Sequence, residues 1–390
     1  MNDGKYVFAQ IATFLPARIF DRCTAQFNGN KWVKHFSCWN QLLSMMFGQL
    51  SSRQSLRDLI VTLGAHSTKY YHLGLGKNVS RSNLAGANEQ RDYQIYETFA
   101  YEMISIARNC VIDESDFPLA ISGNVYAFDS TTIDLCLNVF WWATFRTTKG
   151  AIKIHTLYDV KTSIPAFIDI TQGSVHDVKA LDVLTYEVGG FYIMDKAYID
   201  YKRLYTIHQS LAFFVTRAKD NFKFKRISSS KPDKSKGIVC DQIVKLTGYK
   251  SLKSYPENLR RIKYYDSEEK NTFVFLTDNF TQDASDITLL YKYRWRVELF
   301  FKWIKQHLKI NSFWGTSFNA VKKQVYIAII TYTLVAIIKS KLKTSRYSYE
   351  ILQIVSVSLF DKTHLNKLLQ SPICQDVKEL KCEQLKLNLI

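Results

Sequence analysis

Proline and cysteine are scarce in this chain of 390 residues, which contains 6 prolines and 7 cysteines. The cysteines are odd in number and form no C-x-x-C pair, which argues against a disulfide framework and against a zinc ribbon. Reduced thiols of this kind are typical of the cytosol. The N-terminus also lacks a basic stretch followed by an apolar run and a small-residue cleavage site. We therefore expect a cytoplasmic protein.

Long hydrophobic runs are missing as well. The segment most similar to a membrane span is Val325–Ile338, which is flanked by Lys323 and Lys339. It falls short of the roughly 20 residues that are needed to cross a bilayer. The sequence therefore predicts a buried core helix at this segment and no membrane partner.

The sequence is instead rich in apolar residues and in positive charge. Apolar residues make up 47% of the chain and aromatic residues 14%, so a large hydrophobic core can form and wholesale disorder is disfavoured. A chain of this length predicts two or three structural units. Its net charge of +17 favours an anionic partner, nucleic acid before membrane. Charge alone also leaves open a merely basic soluble protein.

Residues 1–115 are predicted to form an all-helical N-terminal DNA-binding region. Two of its segments, Ser52–Ser55 and Ser80–Asn83, precede short helices, and the second of them contains Arg81. A helix that begins with Ser, Arg and Asn after a turn is typical of helix-turn-helix readers of the major groove. Ordinary capped helices explain these segments equally well, so both interpretations stay open. Apolar spacing typical of helices occurs at Ile11–Phe20, Trp39–Gln49, Leu56–Leu63 and Tyr93–Ala107.

Strand patterns begin at Asn124 and predict an α/β domain. Predicted strands and helices then follow as Val125–Phe128, Ala151–Val160, Pro165–Thr171, a helix at Gly173–Leu184, Phe191–Met194, a helix at Tyr201–Gln209, and Ala212–Thr216. Three meandering strands before alternating helices and strands give the βββαβαβ order of an RNase H-like fold. In that topology the first and fourth strands are neighbours. We therefore expect Asp129 and Asp195, which end these strands, to lie close together.

The segment from Arg217 to Lys270 is strongly basic, with Lys and Arg outnumbering Asp and Glu by about two to one. Strand-like patterns within it predict a β-rich basic insertion at about 218–272, inside a catalytic domain that covers 116–342. Lys225 and Arg226 are its candidate DNA contacts, because cations among aromatic residues suit both phosphates and bases. Residues 343–390 are predicted to form a C-terminal helical region.

The segment Leu289–Lys309 contains neither Gly nor Pro and predicts one amphipathic helix. Glu298 is its only acid and lies among cations, whereas an ordinary solvated helix face mixes acids and bases. A simple ion pair accounts for one Arg beside one Glu, but not for the remaining cations. The pattern therefore indicates a metal-binding carboxylate beside a surface that binds a polyanion. The polar stripe comprises Tyr291, Arg294, Glu298, Lys302 and Lys305.

Asp129, Asp195 and Glu298 together supply three hard oxygen donors. Such carboxylates hold two Mg²⁺ or Mn²⁺ ions, of which one activates water or a 3′-hydroxyl and the other stabilises the leaving oxygen. We expect Asp129 to bridge both ions. Each aspartate alone is weak support for a metal site, because Asp at a strand end is usually a turn or cap residue. His176-Asp177 could also lie near this site, and a helix cap is an equal alternative for it.

The sequence resembles a known family at these positions. The pattern Y-x2-R-x3-E-x6-K that begins at Tyr291 resembles the Y-R-E-K signature of DDE transposases from the fourth insertion-sequence family, to which the Tn-five and Tn-ten transposases are related. Asp129–Thr131 and Asp195–Tyr198 are similar to the first and second aspartate motifs of that family. The resemblance covers roughly Val125 to Lys341.

This resemblance implies a function and a set of site residues. It implies cut-and-paste transposition, in which a homodimer pairs two terminal inverted repeats, cuts double-stranded DNA through a hairpin, and joins the ends to target DNA. It implies a metal triad of Asp129, Asp195 and Glu298. The implied DNA contacts are Tyr291, Arg294 and Lys305, and Trp295 and Lys302 on the same helix are further candidates.

One departure and two alternative functions remain open at this point. Relatives stack a flipped-out base on a tryptophan of the insertion, but no Trp lies between Arg217 and Leu290. Trp295 or a tyrosine is the available substitute, and the hairpin step is therefore open. A structure-specific RNase H-like nuclease is one alternative function. A non-catalytic DNA-binding protein derived from a transposase is the other.

Overall fold

The structure is a computed structural model that describes residues 4–76, 79–111, 117–146 and 149–370. In these ranges helices pack against a large β-sheet, which is the mixed α/β arrangement expected from the sequence. The predicted domain boundary near residue 115 falls at 112–116, outside the described residues. The five cysteines within the described ranges are free thiols, whereas Cys374 and Cys382 lie outside them.

The described part of the N-terminal region is helical. Ser55 and Ser80 cap two of its helices by accepting hydrogen bonds from backbone N–H groups three residues further on. The single helix predicted for Ile11–Phe20 is wrong, because Pro16 has no N–H to donate and the chain begins a new helix after it. The helices are α1 (Val7–Ala12), α2 (Ala17–Gln26), α3 (Cys38–Leu50), α4 (Leu56–Gly64), α5 (Tyr70–Leu73), α6 (Arg81–Gln90) and α7 (Gln94–Val111).

Ten strands form one sheet in the order β2-β3-β1-β5-β6-β10-β9-β8-β7, with β4 paired to β3. Alternating apolar residues and β-branched residues favour these extended segments. The strands are β1 (Val125–Leu135), β2 (Thr144–Arg146), β3 (Lys149–Asp159), β4 (Ile164–Gln172), β5 (Phe191–Met194), β6 (Phe213–Arg217), β7 (Phe224–Ser230), β8 (Ile238–Leu246), β9 (Leu259–Asp266) and β10 (Asn271–Thr277).

The centre of the sheet confirms the predicted adjacency of the first and fourth strands. β1 pairs in parallel with β5, with Phe128 opposite Met194, and it pairs antiparallel with β3. α8 (Tyr201–Gln209) follows β5 as predicted. The helix predicted for Gly173–Leu184 is present only in part, as a 3-10 helix at Asp177–Val183. Short 3-10 turns are common in such connectors.

The basic segment after β6 is β-rich, as predicted, and it continues the same sheet. β10 returns antiparallel to β6, and β9, β8 and β7 follow outwards in turn. A short helix, α9 (Tyr249–Ser254), connects β8 to β9. Tyr255 at its end is fully buried, with its ring edge-on to that of Phe214. The insertion is therefore held to the core by strand pairing and by aromatic packing.

The continuous helix predicted for Leu289–Lys309 is wrong. The structure has α10 (Ala284–Lys292) and α11 (Trp295–His307) instead. At their junction the N–H groups of Arg294 and Val297 donate to carbonyls three residues earlier, so tighter 3-10 hydrogen bonds replace an α-turn. Neither Gly nor Pro marks this break in the sequence. The tertiary contacts of Arg294, described below, accompany it.

The long helix α12 (Phe318–Leu342) lies in the core. By length and composition it could cross a membrane, yet 67% of its most apolar window is buried inside the protein. The core helix predicted for Val325–Ile338 is therefore confirmed. Lys323 on α12 is fully buried and donates to three backbone carbonyls at the end of α6, at 2.7–3.0 Å. This contact attaches α6 to the core.

The chain after α12 begins the predicted C-terminal helical region. Its described part contains α13 (Ser348–Ser358) and α14 (Leu365–Gln370). These helices pack back onto the N-terminal region, since the backbone N–H of Leu365 donates to the side chain of Gln10 at 2.8 Å. Residues 371–390 lie outside the described residues.

Candidate active site

Two adjacent parallel strands place Asp129 and Asp195 side by side. Phe128 of β1 pairs with Met194 of β5; Asp129 is the next residue of β1, and Asp195 directly follows the last residue of β5. Neighbouring strands lie about 4.8 Å apart, and residues in register point to the same face of a sheet. The backbone alone therefore brings these carboxylates together at the centre of the sheet.

The two carboxylate oxygens of Asp129 accept hydrogen bonds from different parts of the fold. Oδ1 accepts hydrogen bonds from the backbone N–H of Ser130 at 2.8 Å and from the hydroxyl of Tyr198 at 3.3 Å. Oδ2 accepts from the guanidinium of Arg294 at 3.2 Å. The carboxylate is therefore held in one orientation, with one oxygen directed towards the junction of α10 and α11.

The two carboxylate oxygens of Asp195 also have different hydrogen-bond partners. Its Oδ1 accepts from the backbone N–H of Ala197 at 3.0 Å, which caps the short 3-10 helix that follows β5. Its Oδ2 accepts from the hydroxyl of Tyr291 on α10 at 3.3 Å. Both aspartates thus present one oxygen to the α10–α11 pair, and Tyr291 and Arg294 are the side chains that meet them.

Glu298 completes this group from α11. Its Oε1 accepts from Nη2 of Arg294 at 2.6 Å, an ion pair between residues four apart. The same guanidinium reaches Asp129 through Nη1. One cation, Arg294, therefore connects the carboxylates of Asp129 and Glu298.

Burial leaves the carboxyl group of Asp129 short of compensating positive charge. Desolvation raises its pKa to about 6, and the nearby charge of Glu298 adds to this increase. The Ser130 N–H, Arg294 and the Tyr198 hydroxyl all act to lower that pKa without restoring its ordinary value. A further cation near Asp129 would therefore be stabilised by this site.

The donor set fits Mg²⁺ or Mn²⁺ by its chemistry, because all three acids offer carboxylate oxygens. Within the described residues, however, no three Asp, Glu, His or Cys side chains are gathered closely enough to hold an ion as they stand. Arg294 lies between two of the three acids. Metal binding by this set therefore requires the guanidinium to give up its present contacts.

The remaining helix residues have different environments. Lys305 donates from Nζ to the carbonyl of Thr132 on β1 at 2.9 Å, and burial lowers its pKa. Lys302 is exposed on the same helix. Trp295 is 48% exposed, so half of its ring is open to a partner. Lys305 thus attaches α11 to the sheet, while Lys302 and Trp295 face outwards.

Three candidate DNA contacts lie on elements other than those that carry the acidic group. Arg81 is exposed at the start of α6. Lys225 and Arg226 are exposed on β7, the outermost strand of the insertion. β7 is five strands from β5, which corresponds to roughly 24 Å at about 4.8 Å per strand. The structure does not bring these residues to the acidic group.

A polar network lies beside Asp129; the sequence indicated that Asp177 could lie near this site but did not predict its partners Ser130 and Lys153. Ser130 donates to Oδ1 of Asp177 at 2.8 Å, and Lys153 donates to Oδ2 at 3.2 Å. Asp177 therefore binds Ser130, the residue that follows Asp129 in the chain. The side chain of His176 makes no capping hydrogen bond to the helix that follows it. The Asp-x-Ala-Tyr pattern was the signal that could have identified Tyr198 as a partner of Asp129.

An aromatic pocket of about 420 Å³ opens beside the acidic group. It is formed where β6, β9 and β10 meet α10 and the start of α11. Cations, aromatic rings and three acids (Asp266, Glu268 and Glu269) line it, and the cations and rings suit a ligand with both phosphate and ring character. Its aromatic and cationic lining comprises Tyr264, Phe273, Phe275, Tyr291, Trp295, Arg217, Lys292 and Arg294.

Comparison with known sequences identifies related proteins. The chain is 36% identical over 213 residues to a protein of Sinorhizobium fredii named as transposase y4zB, covering 54% of this chain and 59% of that protein. It is 31% identical over 212 residues to one of Geobacillus stearothermophilus named as a transposase for insertion sequence element IS5377, covering 53% and 54%. It is 23% identical over 274 residues to a Synechocystis protein named as a transposase for element IS4SA, covering 67% and 73%.

The matches are partial. The chain spans 59% and 54% of the lengths of the first two of these relatives. A cryo-EM structure of the piggyBac transposase synaptic complex with hairpin DNA aligns with a TM-score of 0.46 and 12% identity, covering 94% of this chain and 82% of that one.

Two family models match separate parts of the chain. Residues 3–76 match a Domain of unknown function (DUF4372), and residues 122–334 match the Transposase DDE domain. The second match covers more than half of the chain and contains Asp129, Asp195 and Glu298. This protein therefore belongs to the DDE transposase family.

Proposed function

We propose that this protein is a DNA transposase that cuts the ends of its insertion sequence and joins them to target DNA. The observation that carries the proposal is that the parallel pairing of β1 and β5 puts Asp129 and Asp195 next to each other in register, while Arg294 at the start of α11 contacts both Asp129 and Glu298. Membership in the DDE transposase family supports the same reaction class.

In this proposal Asp129, Asp195 and Glu298 hold two Mg²⁺ or Mn²⁺ ions. When bound, such ions activate the attacking water or 3′-hydroxyl and stabilise the leaving oxygen. The protein's own part is orientation: Ser130 and Tyr198 hold one oxygen of Asp129, and Ala197 holds one oxygen of Asp195. Tyr291, Arg294, Lys302 and Lys305 would bind phosphates of the transposon end.

The finer family assignment is also a proposal. The Y-R-E-K spacing that begins at Tyr291 supports membership in the fourth insertion-sequence family. The arrangement of β1 between antiparallel β3 and parallel β5 supports an RNase H-like core. The division into an N-terminal region, a catalytic domain with an insertion, and a C-terminal region belongs to the same proposal.

A cut-and-paste pathway by a homodimer in the bacterial cytosol is the mechanism we favour. The aromatic pocket supports its hairpin step, because Trp295, Tyr264 and Phe273 offer ring faces on which an extruded base could stack. These rings would substitute for the tryptophan that the insertion lacks. Arg81 on α6 and Lys225 and Arg226 on β7 would contact the DNA backbone at a distance from the cut.

A single experiment separates the three candidate functions. A labelled duplex that carries one end of the element is incubated with the protein and Mg²⁺, with and without a supercoiled target plasmid. Joined products support the transposase, and cutting without joining would indicate a nuclease. Binding without cutting would indicate a DNA-binding protein derived from a transposase, and either of these last two outcomes overturns the proposal.

A further inference from the structure

Arg294 is held between two of the three acidic side chains. Its Nη1 donates to Oδ2 of Asp129 at 3.2 Å, and its Nη2 donates to Oε1 of Glu298 at 2.6 Å. The side chain is only 16% exposed, and its Nε has no hydrogen-bond partner among the described residues. The guanidinium is therefore largely desolvated and directed inwards by the two carboxylates.

The local backbone places the guanidinium there. Arg294 is the N-cap of α11, and Glu298 lies one helical turn later on the same face. The ring of Tyr291 lies 5.8 Å from the guanidinium carbon and adds a cation–π contact. Strand β1 presents Asp129 from the opposite side. Three groups on three elements, Asp129, Glu298 and Tyr291, thus select one position for a single positive charge.

A divalent ion bound by Asp129 and Glu298 would compete with Arg294 for the negative charge of the same two carboxylates. Two cations in a small, partly buried volume repel each other strongly, because little water is present to screen them. Full contact of Arg294 with both carboxylates and tight metal binding by the same carboxylates therefore exclude each other. The guanidinium needs another anionic partner before it can leave, and a phosphodiester is the anion that it binds best.

We propose that Arg294 couples metal binding to DNA binding. Without DNA it holds Asp129 and Glu298 and competes with divalent ions. A phosphate of the bound DNA takes over the guanidinium and releases the carboxylates, so that metal binds tightly on the DNA complex. Linkage requires the converse as well, so that metal strengthens DNA binding by the same factor. This coupling rests on the proposed metal site and adds a control against cutting in the absence of the correct DNA.

The first test measures Mn²⁺ affinity without DNA, by electron paramagnetic resonance of the free ion. Arg294→Gln should bind Mn²⁺ on the order of tenfold more tightly than the wild type, which is the change expected when one charge-assisted competitor is lost. Lys302→Gln is the matched control, since it removes one charge from an exposed position of the same helix. Equal tightening in both variants, or none in Arg294→Gln, would overturn the proposal.

The second test adds a duplex that carries the terminal repeat of the element, at saturating concentration. In the wild type the duplex should strengthen Mn²⁺ binding, and in Arg294→Gln this strengthening should be much smaller. If Arg294→Gln does not fold, Arg294→Lys takes its place, because one ammonium cannot bond to both carboxylates in the same way. An undiminished effect of DNA in a folded variant would also overturn the coupling.

A further variant separates failure of the coupling from failure of the metal site. Asp129→Asn should weaken Mn²⁺ binding in the presence of DNA. If the wild type binds no Mn²⁺ with DNA and Asp129→Asn is indistinguishable from it, the proposed metal site is wrong, and the coupling fails with it. If the wild type binds Mn²⁺ through Asp129 but is insensitive to position 294, only the coupling is wrong.

Discussion

The hydroxyl of Tyr198 donates a hydrogen bond of 3.3 Å to Oδ1 of Asp129. This bond connects the turn after β5 to strand β1, so the motif around Asp195 also orients the carboxylate of Asp129. The Tyr198 side chain is buried, with its ring edge-on to that of Phe128. The two aspartates are therefore positioned as a unit rather than independently.

Removal of this hydroxyl should impair cleavage more than folding. We expect Tyr198→Phe to lower the DNA-cleavage rate by about tenfold or more, because Asp129 loses one of the contacts that fix its orientation and small displacements of a reacting group are costly. Tyr186→Phe is the matched control, since Tyr186 donates to a backbone carbonyl of its own connection, that of Leu181. Single-turnover cleavage and thermal unfolding of both variants measure the difference, and equal cleavage rates would contradict this role of Tyr198.

The three acids should be needed for cutting but not for DNA binding. We expect Asp129→Asn, Asp195→Asn and Glu298→Gln each to abolish cleavage of an end duplex, because each change removes a charged oxygen donor of the proposed metal site. A gel-shift assay should show retained binding. Asp182→Asn controls for loss of a carboxylate elsewhere, since Asp182 forms an exposed ion pair with Arg203. Normal cutting by any of the three variants would refute the role of that residue.

Two lysines of α11 should differ in what they contribute. We expect Lys302→Ala to reduce the slope of log K against log [salt] by about 0.9, the loss of one phosphate contact, without a change in Tm. Lys305→Ala should reduce the slope similarly and should also lower Tm, because it loses the bond to the Thr132 carbonyl. Filter binding over a salt series and thermal unfolding test both. An unchanged salt slope for either variant would count against its phosphate contact.

Buried Lys323 should make stability depend on pH. Desolvation lowers its pKa to about 7, below the ordinary value of 10.5 that applies in the unfolded chain. Between these values the unfolded state binds more protons than the folded state, so the free energy of unfolding should increase as pH rises from 7 towards 10. The increase should be at most about 1.4 kcal/mol per pH unit.

Denaturant unfolding of the wild type and of Lys323→Met at pH 7, 8 and 9 measures this contribution. The wild type should gain stability with pH relative to the variant, because methionine has no proton to lose. Lys322→Met, one residue earlier on α12, is the control for removal of a neighbouring lysine. Parallel pH profiles for the wild type and Lys323→Met would show that Lys323 does not titrate in this range.

Much of the fold was predictable because its signals are local. The apolar patterns of β1, β5, α8 and α12 depend on neighbouring residues alone, and the structure has each element near its predicted position. The helix predicted for Ile11–Phe20 failed at a local signal, Pro16, whereas two other predictions failed where a distant contact accompanies the change of backbone. The helix predicted for Leu289–Lys309 divides at Arg294, although no Gly or Pro marks the break, and the helix predicted for Gly173–Leu184 is a 3-10 helix whose Asp177 binds Ser130 and Lys153.

The amino-acid sequence by itself determined which residues could do chemistry here: Asp129, Asp195 and one glutamate among cations, although Asp129 lies within β1 and not at its predicted end. It could also place Asp129 beside Asp195, because strand order follows from the sequence of elements. Only the tertiary structure decided how these groups are paired. Arg294 meets Asp129 and Glu298, Tyr198 meets Asp129, and Tyr291 meets Asp195, each across the packing of separate elements. Such contacts depend on side-chain direction and burial, which periodicity and spacing do not encode.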